Sequence, residues 1–178
     1  MPELVIRGQS TNSGPTVEAN AWTFVGLDQY DAAVPLPAGP IAVPLAAWKD
    51  RRAELLGRKD RIGVWLAPAD DPEALADALA VLSLIAVRFP KFTDGRGYST
   101  AVLLRRAGYA GELRAFGDLG RDQLFYLSRV GFDAYALRPG SDLHGALASL
   151  HDFSVVYQGA VDNPSPLFRR RLAAGAPR

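Results

Sequence analysis

Ile62-Gly63-Val64-Trp65-Leu66-Ala67, Leu84-Ile85-Ala86-Val87, Leu113-Arg114-Ala115-Phe116 and Ala134-Tyr135-Ala136-Leu137 are short apolar runs separated by stretches of helical pattern. Continuous apolarity marks strands covered on both faces of a parallel sheet, whereas half-exposed antiparallel strands alternate. Ile41-Ala42-Val43 precedes these runs and Ser154-Val155-Val156-Tyr157 follows them, so six strands are predicted at a spacing that suits βα units. The expected fold class is α/β, with repeated βα units and a mainly parallel sheet. An open doubly wound sheet and a partial (β/α) barrel both satisfy the pattern. In either, right-handed crossovers place the C-terminal ends of the parallel strands on one edge, where ligands of such sheets bind.

The intervening helices carry their own signals. Asp70-Asp71-Pro72-Glu73 offers an N-cap, an early proline and a first-turn acid before Ala74-Leu75-Ala76-Asp77-Ala78-Leu79. Ser99 is placed to cap Thr100 to Ala107, with Gly108 as a left-handed stop. Leu104-Arg105-Arg106-Ala107-Gly108-Tyr109 and Leu127-Ser128-Arg129-Val130-Gly131-Phe132 share the pattern Leu-x-Arg-x-Gly-aromatic, and each leads into a predicted strand.

The chain has 178 residues, the length of one ordinary domain, and contains no cysteine. That excludes disulfides, thiolate nucleophiles, iron–sulfur clusters ligated by this chain and zinc sites built on Cys. His144 and His151 are the only histidines. They lie two turns apart on the last predicted helix and fit no zinc-helix spacing. The net charge of +1 divides unevenly: residues 163–178 carry four Arg and no acid, which leaves the remainder at −3. A body of that charge is not a nucleic-acid binder. No apolar run approaches the ~20 residues of a membrane span. Met1-Pro2-Glu3-Leu4-Val5-Ile6-Arg7 lacks a basic segment followed by an apolar one, so a cytoplasmic location is expected.

Three regions follow: an irregular N-terminal segment over 1–40, rich in Gly, Pro, Asn and Ser; an α/β domain over 41–160; and a flexible basic tail over 161–178. The tail holds Leu167-Phe168-Arg169-Arg170-Arg171-Leu172, a patch that would suit an acidic protein partner. The N-terminal segment is open to assembly, homo-oligomers included.

The densest polar constellation is Arg88-Phe89-Pro90-Lys91-Phe92-Thr93-Asp94-Gly95-Arg96-Gly97-Tyr98-Ser99-Thr100, between a predicted strand and a helix. Lys91, Arg96, Tyr98 and Ser99 supply donors beside a helix N-terminus, and with Asp94, Arg114 and Arg121 they form the candidate site of a small anionic ligand. Alternatively, Asp94 and Arg96 pair to hold a surface loop. Gly95 and Gly97 also permit a weak dinucleotide fingerprint, with Asp118 some twenty residues on, although Thr100 stands where the third glycine belongs. Asp118 is a candidate general base or hydroxyl acceptor, and equally a helix cap, with Arg121 beside it. Arg88 and Arg114, in or beside apolar strands, need partners: Asp94, Glu112, Asp118 or a bound anion.

The block Phe89 to Ser99, followed by Gly111-Glu112-Leu113-Arg114-Ala115-Phe116-Gly117-Asp118, Arg121-Asp122-Gln123-Leu124 and Gly131-Phe132-Asp133-Ala134, resembles the bacterial family DUF934 over about residues 60–158. The resemblance implies an oxidoreductase-like accessory of assimilatory sulfite or sulfate reduction, with the haemoprotein sulfite reductase as partner. It assigns no mechanism and no catalytic residue. Val130 stands where relatives often carry Cys, so a reaction needing that thiol is closed to this chain. Three functions are therefore expected as alternatives: an accessory that binds a small anion or assists sulfite reductase, an oxidoreductase using a nicotinamide or flavin nucleotide, and an interaction module.

Overall fold

The computed structural model describes residues 4–8 and 14–173. Strands β1 (Leu4–Arg7), β2 (Thr16–Ala19), β3 (Thr23–Phe24), β4 (Ile41–Pro44), β5 (Ile62–Leu66), β6 (Leu84–Phe89), β7 (Glu112–Gly117) and β8 (Ala134–Ala136) form one eight-stranded sheet. Its order is β2-β1-β8-β7-β6-β5-β4-β3. The ladders from β3 to β8 are parallel, whereas β1 runs antiparallel to β2 and to β8. The result is an α/β fold with a mixed sheet curled as a half-barrel.

Alternation within the strands sorts side chains onto two faces. Ile41, Val43, Val64, Leu66, Ile85, Val87, Phe89, Leu113, Ala115 and Tyr135 point to the larger core. The buried apolar side chains of α1 (Leu45–Asp50), α2 (Arg52–Leu56), α3 (Arg96–Arg106), α4 (Leu124–Arg129) and α5 (Leu143–Leu147) join that same core. A doubly wound sheet would need helices on both faces; here they pack on one.

The opposite face carries Ala42, Trp65, Leu84, Ala86, Phe116 and Ala136 and is covered by residues 20–27, with Trp22 buried against it. Polar side chains fasten this cover. Trp65 Nε1 donates to the Val25 carbonyl at 2.9 Å, Arg88 Nη1 to the Leu27 carbonyl at 2.9 Å, and Arg114 Nη1 to Asn20 Oδ1 at 2.8 Å. Arg114 is fully buried. Its Nε donates to Glu112 Oε1 at 2.7 Å, and its Nη2 lies 2.6 Å from the same oxygen as an ion contact without hydrogen-bond alignment. Glu112 also pairs with Arg7 at 2.8 Å.

Several expectations change. Residues 8–40 are not irregular throughout, since β2 and β3 fall there and β1 precedes them. Two to four residues leave too short a pattern to read, and pairing supplies the rest. The predicted strand 154–157 does not form: Val155 and Tyr157 are 57% and 68% exposed. The place beside β8 is taken by β1, through Ile6 opposite Tyr135. The predicted helix at 74–79 shortens to one 3₁₀ turn, Pro72–Leu75, although Asp71 caps it through the Glu73 N–H at 2.9 Å. In the tail, α6 (Leu167–Ala173) is helical. Residues 174–178 of the tail, like 1–3 and 9–13 of the N-terminal segment, lie outside the described residues.

Removing one partner of a buried ion pair strands the other charge, at a cost of roughly 3–5 kcal/mol, whereas replacing both by apolar groups costs less. Glu112→Gln is therefore expected to lower the unfolding free energy by about 3 kcal/mol in urea titration. The double variant Glu112→Leu with Arg114→Met should lose less than that. A loss below ~1 kcal/mol for Glu112→Gln would show that Arg114 does not depend on it.

Candidate functional site

The polar block leaves the C-terminal end of β6, and Phe89, the last residue of that strand, organises it. The Phe89 ring is buried and meets Tyr98 at 5.3 Å and Phe132 at 5.9 Å between centroids. It lies so close beneath α3 that a Cβ at Gly97 would stand 2.5 Å from Cζ. Behind it, Gly117 pairs with Phe89 across the ladder and has φ +121°, and a Cβ there would collide with the Phe89 carbonyl oxygen. Both glycines are thus demanded by one phenylalanine. Gly95, by contrast, has an ordinary helical φ of −82° and open space around it.

The helix N-terminus is already served by the chain itself. Asp94 Oδ1 accepts the Arg96 N–H at 3.2 Å and the Arg96 Nε–H at 3.0 Å, and its second oxygen takes Nη2 at 2.7 Å. The Arg96 guanidinium holds the Asp94 carboxyl below its ordinary value. Asp94 therefore occupies the place where a ligand anion would sit. Ser99 is the fourth residue of α3 rather than its cap. Gly108 does end the helix, with φ +92°.

The next loop clasps the first. The Asp118 N–H donates to the Phe89 carbonyl at 2.8 Å, while Asp118 Oδ2 accepts the Phe92 N–H at 3.2 Å and Oδ1 meets Arg138 Nη1 at 3.3 Å. Gln123 closes the ring: Oε1 accepts the Gly120 N–H at 3.1 Å, and Nε2 donates to the Tyr98 hydroxyl at 3.1 Å. Burial raises the Tyr98 hydroxyl above its ordinary value, and the Gln123 hydrogen bond works against that rise. Asp118 thus joins the two loops.

Arg96, Arg114 and Asp118 share no partner. Arg114 belongs to the covered face with Glu112 and Asn20, Arg96 binds Asp94 at the rim, and Asp118 binds Phe92 and Arg138. Lys91, Arg96 and Arg121 stand exposed along the edge, with the Arg138 side chain 56% exposed beside them. Among them, Phe92 and Tyr126 are 63% and 57% exposed, and the Tyr126 ring packs tilted against Tyr98 at 5.1 Å between centroids. Sequence reading missed Phe89, Gly117, Gln123 and this aromatic pair. The one available signal was an apolar run continuing to Phe89. Among the described residues, no cluster of three or more His, Asp or Glu is placed to hold a metal ion. No described helix is long and apolar enough to cross a membrane.

Gly97→Ala is expected to destabilise the protein by about 2 kcal/mol or more through overpacking on Phe89, whereas Gly95→Ala stays within ~1 kcal/mol of the parent. Equal effects in thermal unfolding would remove the packing explanation. In an NMR titration the Asp94 carboxyl is expected to protonate below the ordinary aspartate value, and Arg96→Ala to restore it. Because the folded value is the depressed one, the pair's contribution is present above the unfolded aspartate value and is lost as pH falls through the folded one. It is small for so exposed a pair.

No curated protein and no solved structure matches the chain. A family model does, over residues 63–168, a span that holds the whole clasp from Phe89 through Gln123 and both Leu-x-Arg-x-Gly-aromatic turns. The chain belongs to DUF934, a family of bacterial proteins described as of unknown function.

Proposed function

We propose that the chain is an accessory of assimilatory sulfite reduction that acts by binding, presenting its C-terminal strand edge to the haemoprotein sulfite reductase. The observation that carries this reading is the pairing of a locked loop with an unlocked surface. Asp94, Asp118, Gln123 and Tyr98 are engaged in holding the edge, while Phe92 and Tyr126 remain exposed among Lys91, Arg96, Arg121 and Arg138. Aromatic and arginine side chains on a preorganised support are the usual anchors of protein recognition. Within this reading the segments from β6 to β8 are repeated βα units of a partial barrel, whose strand C-terminal edge is where such folds bind.

A second reading takes the same edge as the site of a small anion, such as a sulfur oxyanion, a phosphate or a tetrapyrrole carboxylate. Lys91 and Arg121 favour it, because both are exposed cations beside the α3 N-terminus and the following loop. An oxidoreductase using a nicotinamide or flavin nucleotide draws less support, since Gly97 serves the Phe89 ring rather than a phosphate.

Co-purification with sulfite reductase is expected, and Phe92→Ser combined with Tyr126→Ser is expected to weaken the complex roughly tenfold or more without lowering Tm. A complex indifferent to both changes, or none at all, would refute the docking reading. In calorimetry with sulfite, sulfate, phosphate or sirohaem, binding lost on Lys91→Ala and Arg121→Ala would support the anion reading instead.

A further inference from the structure

The two Leu-x-Arg-x-Gly-aromatic segments form the same turn at the opposite edge of the sheet, where strands begin. In the first, the Gly108 N–H donates to the Arg105 carbonyl and the Tyr109 N–H to the Leu104 carbonyl. In the second, the Gly131 N–H donates to Ser128 and the Phe132 N–H to Leu127. Both glycines have positive φ, +92° and +110°. Equivalent backbones place Arg106 and Arg129 at equivalent positions.

What covers the two turns differs. The second is covered by the chain's own segment Gln158-Gly159-Ala160-Val161-Asp162. Arg129 grips Asp162 through Nη1 at 2.9 and 3.2 Å and donates from Nη2 to the Gln158 carbonyl, while the Val161 N–H donates to the Arg129 carbonyl at 3.0 Å. Val161 lies over Gly131, its Cγ1 being 3.2 Å from where a Cβ would stand. At Gly108 nothing comes within 4 Å of that point, and Arg106 is exposed.

Beside Arg106 runs an open groove of about 810 Å³ between the end of α3 and residues 158–169. Arg105, Arg106, Arg129 and Arg169 line it with Val102, Val130 and Phe168, and among the described residues it has no carboxylate in its lining. The acids that neutralise Arg105 and Arg129, namely Asp133 and Asp162, lie outside it. Arg106 and Arg169 are left as its net charge, and Phe168 is 50% exposed.

We propose that this groove takes an extended acidic segment of a partner protein, in which an apolar residue is followed by Asp or Glu. The apolar residue covers Gly108 as Val161 covers Gly131, and the carboxylate meets Arg106 as Asp162 meets Arg129, with Arg169 adding charge from the far wall. The molecule already recognises such a segment once, in its own second turn. The groove is independent of the edge around Phe92 and Tyr126, so either assignment can fail without the other.

The test is peptide display on the full chain with a random library, followed by fluorescence anisotropy of the selected peptides. The expected result is enrichment of apolar–acidic pairs, with binding that weakens as salt rises. Affinity should fall roughly tenfold or more in Arg106→Glu and in Arg169→Glu, and should change little in Phe92→Ser. If a charge reversal impairs folding by circular dichroism, Arg106→Gln and Arg169→Gln provide the same comparison. The proposal is overturned by basic or neutral consensus peptides, by no selection at all, or by binding that survives both variants. Equally tight binding of an oligothymidylate would assign the groove to nucleic acid. A dimer in sedimentation that dissociates on Arg106→Glu would assign it to a second copy.

Discussion

One ring, that of Phe89, sets the geometry of the C-terminal strand edge. The ring requires Gly97 in α3, and the Phe89 backbone requires Gly117 across the ladder. The Phe89 main-chain carbonyl also anchors the Asp118 amide. Close packing tolerates so large a side chain beneath a helix only if the residue above it, Gly97, has none. The loop after β6 and the loop after β7 then lie close enough for Asp118 and Gln123 to bridge them. The polar residues of the motif are the consequence of this packing, since each satisfies a backbone or side-chain group that the close approach exposes.

The second organising element is the cover on the sheet face away from the helices. A single-sided helix layer leaves the other face of six strands facing water, and residues 20–27 close it. Three side chains that would be costly to bury alone, Trp65, Arg88 and Arg114, each find an acceptor in that segment. The arginines within apolar strands are thus fasteners. The face that could have formed a ligand cavity is filled by the chain itself.

The five apolar runs from Ile41 to Leu137 are legible as strands because burial on both faces removes most polar residues from the pattern. The helix stops at Gly108 and Gly131 were legible because a left-handed residue favours glycine. β1, β2 and β3 were hidden, being short and stabilised by partners far along the chain. The run 154–157 misled because apolarity alone cannot tell whether a sheet position is free, and β1 already holds it. At the edge, the bland alternative for Asp94 and Arg96, a pair that steadies a loop, describes what they do. The second glycine of the apparent dinucleotide pattern, Gly97, answers to a ring 8 residues upstream, a relation that spacing does not reveal. The chemistry of Arg114 and Asp118 points to a ligand, and the fold uses both to join segments.

Amide hydrogen exchange at Phe92 and Asp118 tests the central claim, that this edge is a locked support rather than a mobile catalytic loop. Both N–H groups donate within the clasp. They are expected to exchange at least about a hundredfold more slowly than in an unstructured peptide, and Phe92 is expected to lose that protection in Asp118→Ala. Exchange of both amides at unstructured rates in the parent protein would contradict the account.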